Sequence, residues 1–179
     1  MVNNMNFSKY SFVPFLLSFI PFLWDGHISM ILNHYLSPEF FLSSHLFIIY
    51  VFLMTLNLST SRLSYLYLIF LGFIYDTYYF KTIGIVILTL PILCFLLTQL
   101  SRFVKRNAYV DLLLVFLSLF IFDIINFGFV LLYGYSNESI TDFIIYQLSP
   151  SLFFNLLMFI LTKPIIEKLF LYLSVDRFK

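Results

Sequence analysis

The chain has 179 residues, of which 61% are hydrophobic and 11% charged, and its mean hydropathy is +0.98. Soluble domains carry roughly 45–50% apolar and about 25% charged residues, so this composition excludes an ordinary soluble domain and indicates an integral membrane protein. The formal net charge of +1 offers no global field for nucleic acid, and the lone cysteine, Cys94, excludes an intrachain disulfide and a cysteine metal cluster.

A bilayer-spanning helix needs about 20 mostly apolar residues. Six such segments are predicted, at Ser11–Leu32, Phe40–Leu58, Leu63–Phe80, Thr82–Leu100, Tyr109–Leu132 and Ile140–Thr162. None shows the strict alternation of a membrane β-strand, so an all-α bundle is expected. The first segment follows Lys9 and resembles a secretory signal. No small-x-small cleavage site follows it, and it runs on into Trp24-Asp25-Gly26-His27, so it is read as a retained first helix. Trp24, Asp25 and His27 are expected to form a polar and aromatic cluster at the membrane interface. The third and fourth segments are nearly fused, and a tight turn is expected near Tyr79–Thr82. Pro14, Pro21, Pro91 and Pro150 fall inside or at the starts of helices and predict a bent bundle. Residues 163–179 form a short tail. Within it Ile165, Ile166, Leu169 and Phe170 recur at helical spacing, which fits a surface helix and an extension of the sixth helix equally. No internal repeat, low-complexity tract or linker is evident, and a single transmembrane domain is expected.

Orientation follows from the basic residues. Lys9, Arg62, Arg102, Lys105, Arg106, Lys163, Lys168, Arg177 and Lys179 all fall on one side if the chain alternates through six helices, and only Lys81 falls on the other. Both termini are therefore expected in the cytoplasm, with short external loops and no soluble domain.

Polar groups in apolar runs require an account, because an unpaired intramembrane charge costs about 2.5 kcal/mol or more. Asp76 and Lys81 are the only charged residues in Leu63–Leu100. Gly72 lies one turn before Asp76 on the same helix face, where it admits a close neighbour. Lys81 is placed to fold back from the turn, and Gly84 to relieve crowding where the two helices meet. Asp76 reads either as a packing anchor for this hairpin or as a contact for a partner or ligand. Asp123 and Asn126 share a face of the fifth helix, and Asn155 lies deep in the sixth. The three are expected to join in one interhelical network. His27, His34 and His45 lack the spacing of a shared metal site. No nucleophile elbow, phosphate loop, His-Glu-x-x-His or cysteine pair occurs, so neither enzyme nor cofactor is indicated.

Leu71-Gly72-Phe73-Ile74-Tyr75-Asp76 followed by Gly84 resembles the signature of the rod shape-determining protein MreD family. Asp123 is similar to that family's acid on the fifth helix. Pro150, Asn155, Pro164 and Lys168 are similar to its last helix and basic tail. One departure stands out: the loop after the acid, usually with a small residue, reads Thr77-Tyr78-Tyr79-Phe80-Lys81 here. The resemblance implies a non-enzymatic component of the cell-elongation machinery in the bacterial cytoplasmic membrane. It implies MreC as partner and regulation of cell shape and peripheral peptidoglycan synthesis. That synthesis is by a shape, elongation, division and sporulation (SEDS) glycosyltransferase and a class B penicillin-binding protein, with MreB where present. It implies structural or partner-binding roles for Gly72, Asp76, Gly84, Asp123, Asn126, Pro150 and Asn155, and a fold like the substrate-binding subunits of energy-coupling factor transporters. Such a subunit, binding a vitamin, is the alternative reading. The single alanine, Ala108, outside the first helix, counts against it, since those subunits usually offer small-residue motifs such as Ala-x-x-x-Ala on the first helix for docking their partner.

Overall fold

A computed structural model describes residues 12–36, 38–57, 62–81, 83–136 and 138–175. Lys9, Arg177 and Lys179 lie outside them, as does the side chain of Arg62. The described chain is helical, without strands. In order it forms α1 (Phe12–Leu17), α2 (Phe19–Tyr35), α3 (Leu46–Asn57), α4 (Arg62–Tyr75) with a π-helical turn at Asp76–Phe80, α5 (Val86–Phe103) and α6 (Ala108–Leu132). It ends with α7 (Ile140–Asp142), a π-helical turn at Phe143–Leu148, and α8 (Ser149–Val175). The six predicted spans map onto this order. Among the described residues, four helical stretches are long and apolar enough to cross a membrane: Val13–Tyr35, Val86–Phe103, Ala108–Leu132 and Ile140–Tyr172.

Helix α3 is the hub, packing against α2, α5, α6 and α8. Every residue from Leu46 to Leu56 is buried, which suits a run that is apolar all round. Lipid offers no hydrophobic force between helices, so close packing holds them. Phe52 meets Phe159 of α8 edge to face at 5.8 Å, and Tyr50 meets Phe170 at 5.6 Å. At 12 residues, α3 is only about 18 Å long at 1.5 Å per residue. The second span predicted at Phe40–Leu58 is therefore corrected: residues 40–45 are non-helical, and the helix begins at Leu46.

Other boundaries move for local reasons. The first helix breaks at Ser18, because Pro21 has no N–H for the carbonyl four residues back and its ring crowds that turn. The Ser18 N–H bonds Phe15 O at 3.2 Å, and the Tyr50 hydroxyl donates to the Pro14 carbonyl at 2.7 Å. The fourth span starts at Val86 rather than Thr82, after the Asp76–Phe80 turn and a left-handed Lys81 (φ 53°). At the C-terminal end, α8 runs unbroken through Pro164 to Val175, so the tail extends the last helix.

Candidate functional site

The non-helical stretch before α3 sets the problem the polar residues solve. Irregular backbone at membrane depth persists only where protein satisfies its N–H groups. Here seven consecutive amides, Phe41 to Phe47, each find an acceptor. Phe41 donates to Tyr146 O at 2.9 Å, Leu42 to Asn33 Oδ1 at 2.7 Å and Ser43 to Ser151 Oγ at 2.9 Å. Ser44 donates to Ser29 Oγ at 2.9 Å and His45 to Asn155 Oδ1 at 2.8 Å. Leu46 and Phe47 donate to the two oxygens of Asp25 at 2.6 and 2.9 Å. Asn155 also donates from Nδ2 to Ser43 O at 2.7 Å and to Ser151 O at 2.9 Å. Pro150 contributes by what it lacks. Without an N–H it leaves the Tyr146 carbonyl free, and that carbonyl receives Phe41.

Asp25 is thus a remote N-cap for α3. It is 2% exposed and also accepts the Ser44 hydroxyl at 2.9 Å. The interface cluster expected from Trp24, Asp25 and His27 does not form as such: Trp24 is exposed while Asp25 turns into the bundle. Asp76 does the same work for α5. Its carboxylate, fully buried, accepts N–H bonds from Gly84 at 2.9 Å, Val86 at 2.8 Å and Ile87 at 3.3 Å. A helix N-terminus carries orphan amides and a partial positive charge, so a carboxylate there is doubly favoured. The amides replace the fold-back of Lys81, which is exposed. Gly72 admits the α5 backbone, since a Cβ there would lie 2.6 Å from Ile87 Cα. Gly84 does not relieve crowding: a Cβ on it would meet nothing within 4 Å, and its φ of +122° is what requires glycine.

These contacts expose a short repeat that chain-order reading missed. Phe-Leu-Trp-Asp at 22–25, Phe-Ile-Tyr-Asp at 73–76 and Phe-Ile-Phe-Asp at 120–123 each end on a carboxylate in α2, at the end of α4, or in α6. The first two cap the following helix. Asp123 has no such target, because α7, the π-helical turn and α8 form one continuous path that begins at Ser139, whose own hydroxyl accepts the Asp142 N–H at 3.1 Å. Asp123 instead meets His45 Nε2 at 2.7 Å. The network expected of Asp123, Asn126 and Asn155 is therefore corrected. Among the described residues, Asp123 and Asn155 are joined only through His45, and Asn126 Oδ1 has no hydrogen-bond partner.

A second polar centre lies at the other end of α3 and escaped the sequence reading. Arg106 binds both oxygens of Asp111 at 3.1 Å and donates to the Leu56 carbonyl at 3.0 Å. Lys163 of α8 reaches Asp111 at 2.7 Å. The signal was available: Asp111 follows the basic loop by one helical turn and is acidic within an apolar run.

A family model for the rod shape-determining protein MreD matches residues 9–173. The chain belongs to the MreD family. The cell shape-determining protein MreD of Streptococcus pneumoniae (strain ATCC BAA-255 / R6) is 31% identical over 157 residues, which cover 85% of this chain and 93% of that protein. No solved structure matches the chain. The MreD match takes in all three Phe-x-aromatic-Asp carboxylates, the seven-amide stretch and the Arg106–Asp111–Lys163 cluster. With its apolar helices, family membership places the chain among multi-pass membrane proteins of the cell-shape machinery.

Proposed function

We propose that the protein is a non-enzymatic scaffold of the bacterial cell-elongation machinery. It holds MreC in the cytoplasmic membrane and through it governs cell shape and peripheral peptidoglycan synthesis. The observation that carries this reading is the MreD match across almost the whole chain. The geometry agrees with a scaffold: Asp25 and Asp76 spend their oxygens on amides and a hydroxyl, which fixes helices rather than attacking a substrate. The external loops are short, so helices supply the MreC interface. The SEDS glycosyltransferase, the class B penicillin-binding protein and MreB stand further out in the same assembly. Gly72, Asp76, Gly84, Asp123, Pro150 and Asn155 act by holding the presenting surface in shape, whereas Asn126, whose side-chain oxygen bonds nothing within the described protein, takes the partner-binding role. Both termini face the cytoplasm, on the charge pattern of the loops, and the fold is akin to the substrate-binding subunits of energy-coupling factor transporters.

Co-purification from detergent tests the proposal. MreC is expected to remain with the tagged protein through size exclusion, and its absence with both proteins well expressed overturns the reading. Reporter fusions at each terminus test the orientation, and an external signal from either end refutes it.

A further inference from the structure

Asp123, His45 and Asn126 meet at the wall of a cavity of about 540 Å³ between α2, the end of α4, α6 and the non-helical stretch. Cavities of roughly 300–1,000 Å³ enclose small organic molecules. Among the described residues, three polar atoms of these side chains are buried without a hydrogen-bond partner: His45 Nδ1, Asp123 Oδ2 and Asn126 Oδ1. The His45 side chain is 7% exposed and that of Asp123 is 11% exposed, so neither is freely hydrated. Buried polar atoms are nearly always satisfied, and exceptions call for an explanation.

The chemistry of the three atoms agrees. Nε2 of His45 faces Asp123 Oδ1 at 2.7 Å. With the proton on Nε2, donated to the carboxylate, Nδ1 is left as an acceptor. All three atoms then ask for donors. The described lining adds Asp25 and Glu138 and contains no lysine or arginine. Aromatic faces complete the wall: Tyr75, Tyr79, Phe80, Phe122, Phe127 and Phe143. Carboxylate plus aromatic rings is the arrangement that holds organic cations. Tyr79 is itself fixed, since its hydroxyl donates to Phe22 O at 2.6 Å and accepts the Gly26 N–H at 3.0 Å.

We infer that this cavity is a binding site for a small organic cation with a primary ammonium head and an apolar body. The ammonium is held by the Asp123, Asn126 and His45 side chains, and the body lies among the rings. A single lysine side chain would leave most of the volume unfilled, which favours a free molecule over a partner's residue.

Calorimetric titration of the full chain in detergent tests it, with 2-phenylethylammonium as probe and 2-phenylethanol as its neutral counterpart. The ammonium is expected to bind saturably, at least tenfold tighter than the alcohol, and Asp123→Asn to weaken it at least tenfold. Asn126→Ala removes an oxygen without a protein partner, so it leaves the fold intact and should weaken binding severalfold. If Asp123→Asn fails to fold, Asn126→Ala decides alone. No saturable binding, equal affinity for the alcohol, or indifference of the folded variants overturns the inference. Binding of Nα-acetyl-lysine methylamide without binding of 2-phenylethylammonium also overturns it, in favour of a partner lysine.

Discussion

A Cβ atom on Gly72 would stand 2.6 Å from the Cα of Ile87, so α4 and α5 touch backbone to backbone. The clash is with main chain, which has no rotamer to yield. The same approach brings the Ile87 amide to Asp76 at 3.3 Å. Gly72→Ala is therefore expected to part the helices and weaken the carboxylate clamp. Overpacking of this kind costs typically 1–3 kcal/mol. Thermal unfolding in detergent should show a clear fall in melting temperature. An unchanged midpoint would mean that the two helices are free to slide apart.

Asp76 and Asp25 make a paired test. Asp76→Ala strands the Gly84, Val86 and Ile87 amides, and Asp25→Ala strands Leu46, Phe47 and the Ser44 hydroxyl. Each unsatisfied buried group costs about 1–3 kcal/mol, so both variants should accumulate poorly. Asp76→Asn keeps one acceptor oxygen and is expected to be milder. The two carboxylates serve different helix starts, so separate losses should add within about 0.5 kcal/mol. Unfolding of the single and double variants checks this. Wild-type stability of Asp25→Ala would show that α3 starts without its cap.

Gly72 and Asp76 stand out in the sequence because one helix turn carries a small residue and a charge inside a long apolar run. The helix order was legible for a similar reason, since hydropathy tracks side chains. It could not reveal the non-helical stretch. Phe40, Phe41 and Leu42 are apolar enough to read as helix, yet the amides from Phe41 to His45 are satisfied in turn by Tyr146 O, Asn33, Ser151, Ser29 and Asn155 from other segments. Asp25 was hidden by Trp24 and His27, neighbours that suit a membrane interface. His45 gave no signal, because its partner Asp123 lies on another helix far along the chain. Local spacing carries no information about such a pair.

Asp111 is the joint acceptor of Arg106 and Lys163, and Arg106 in turn holds the last turn of α3 through Leu56 O. Losing the acid leaves the two cations with only Glu167, 4.0 Å from each, whereas losing Lys163 leaves the Arg106 fork intact. Asp111→Asn is therefore expected to destabilise more than Lys163→Met. Hydrogen bonds to charged groups contribute roughly 1.5–3 kcal/mol, with less here because both cations are partly hydrated. Chemical unfolding of the two variants gives the order, and a larger loss from Lys163→Met would contradict it.

Pro150 offers a test of what an absent donor does. Alanine at this position restores an N–H that can bond the Tyr146 carbonyl four residues back and draw the π-helical turn toward regular helix. That carbonyl now receives Phe41 at 2.9 Å, and a second donor competes for it. The effects oppose each other: the helix gains a bond while the stretch before α3 loses its first tether. Pro150→Ala is thus expected to change global stability little, within about 1 kcal/mol, since a typical hydrogen bond contributes about that much net. The local signature should be larger. Amide hydrogen exchange at Phe41 is expected to quicken severalfold, while exchange at Leu46 and Phe47, held by Asp25, stays slow. Unchanged protection at Phe41 would show that the carbonyl serves both donors and that the proline is not what keeps it available.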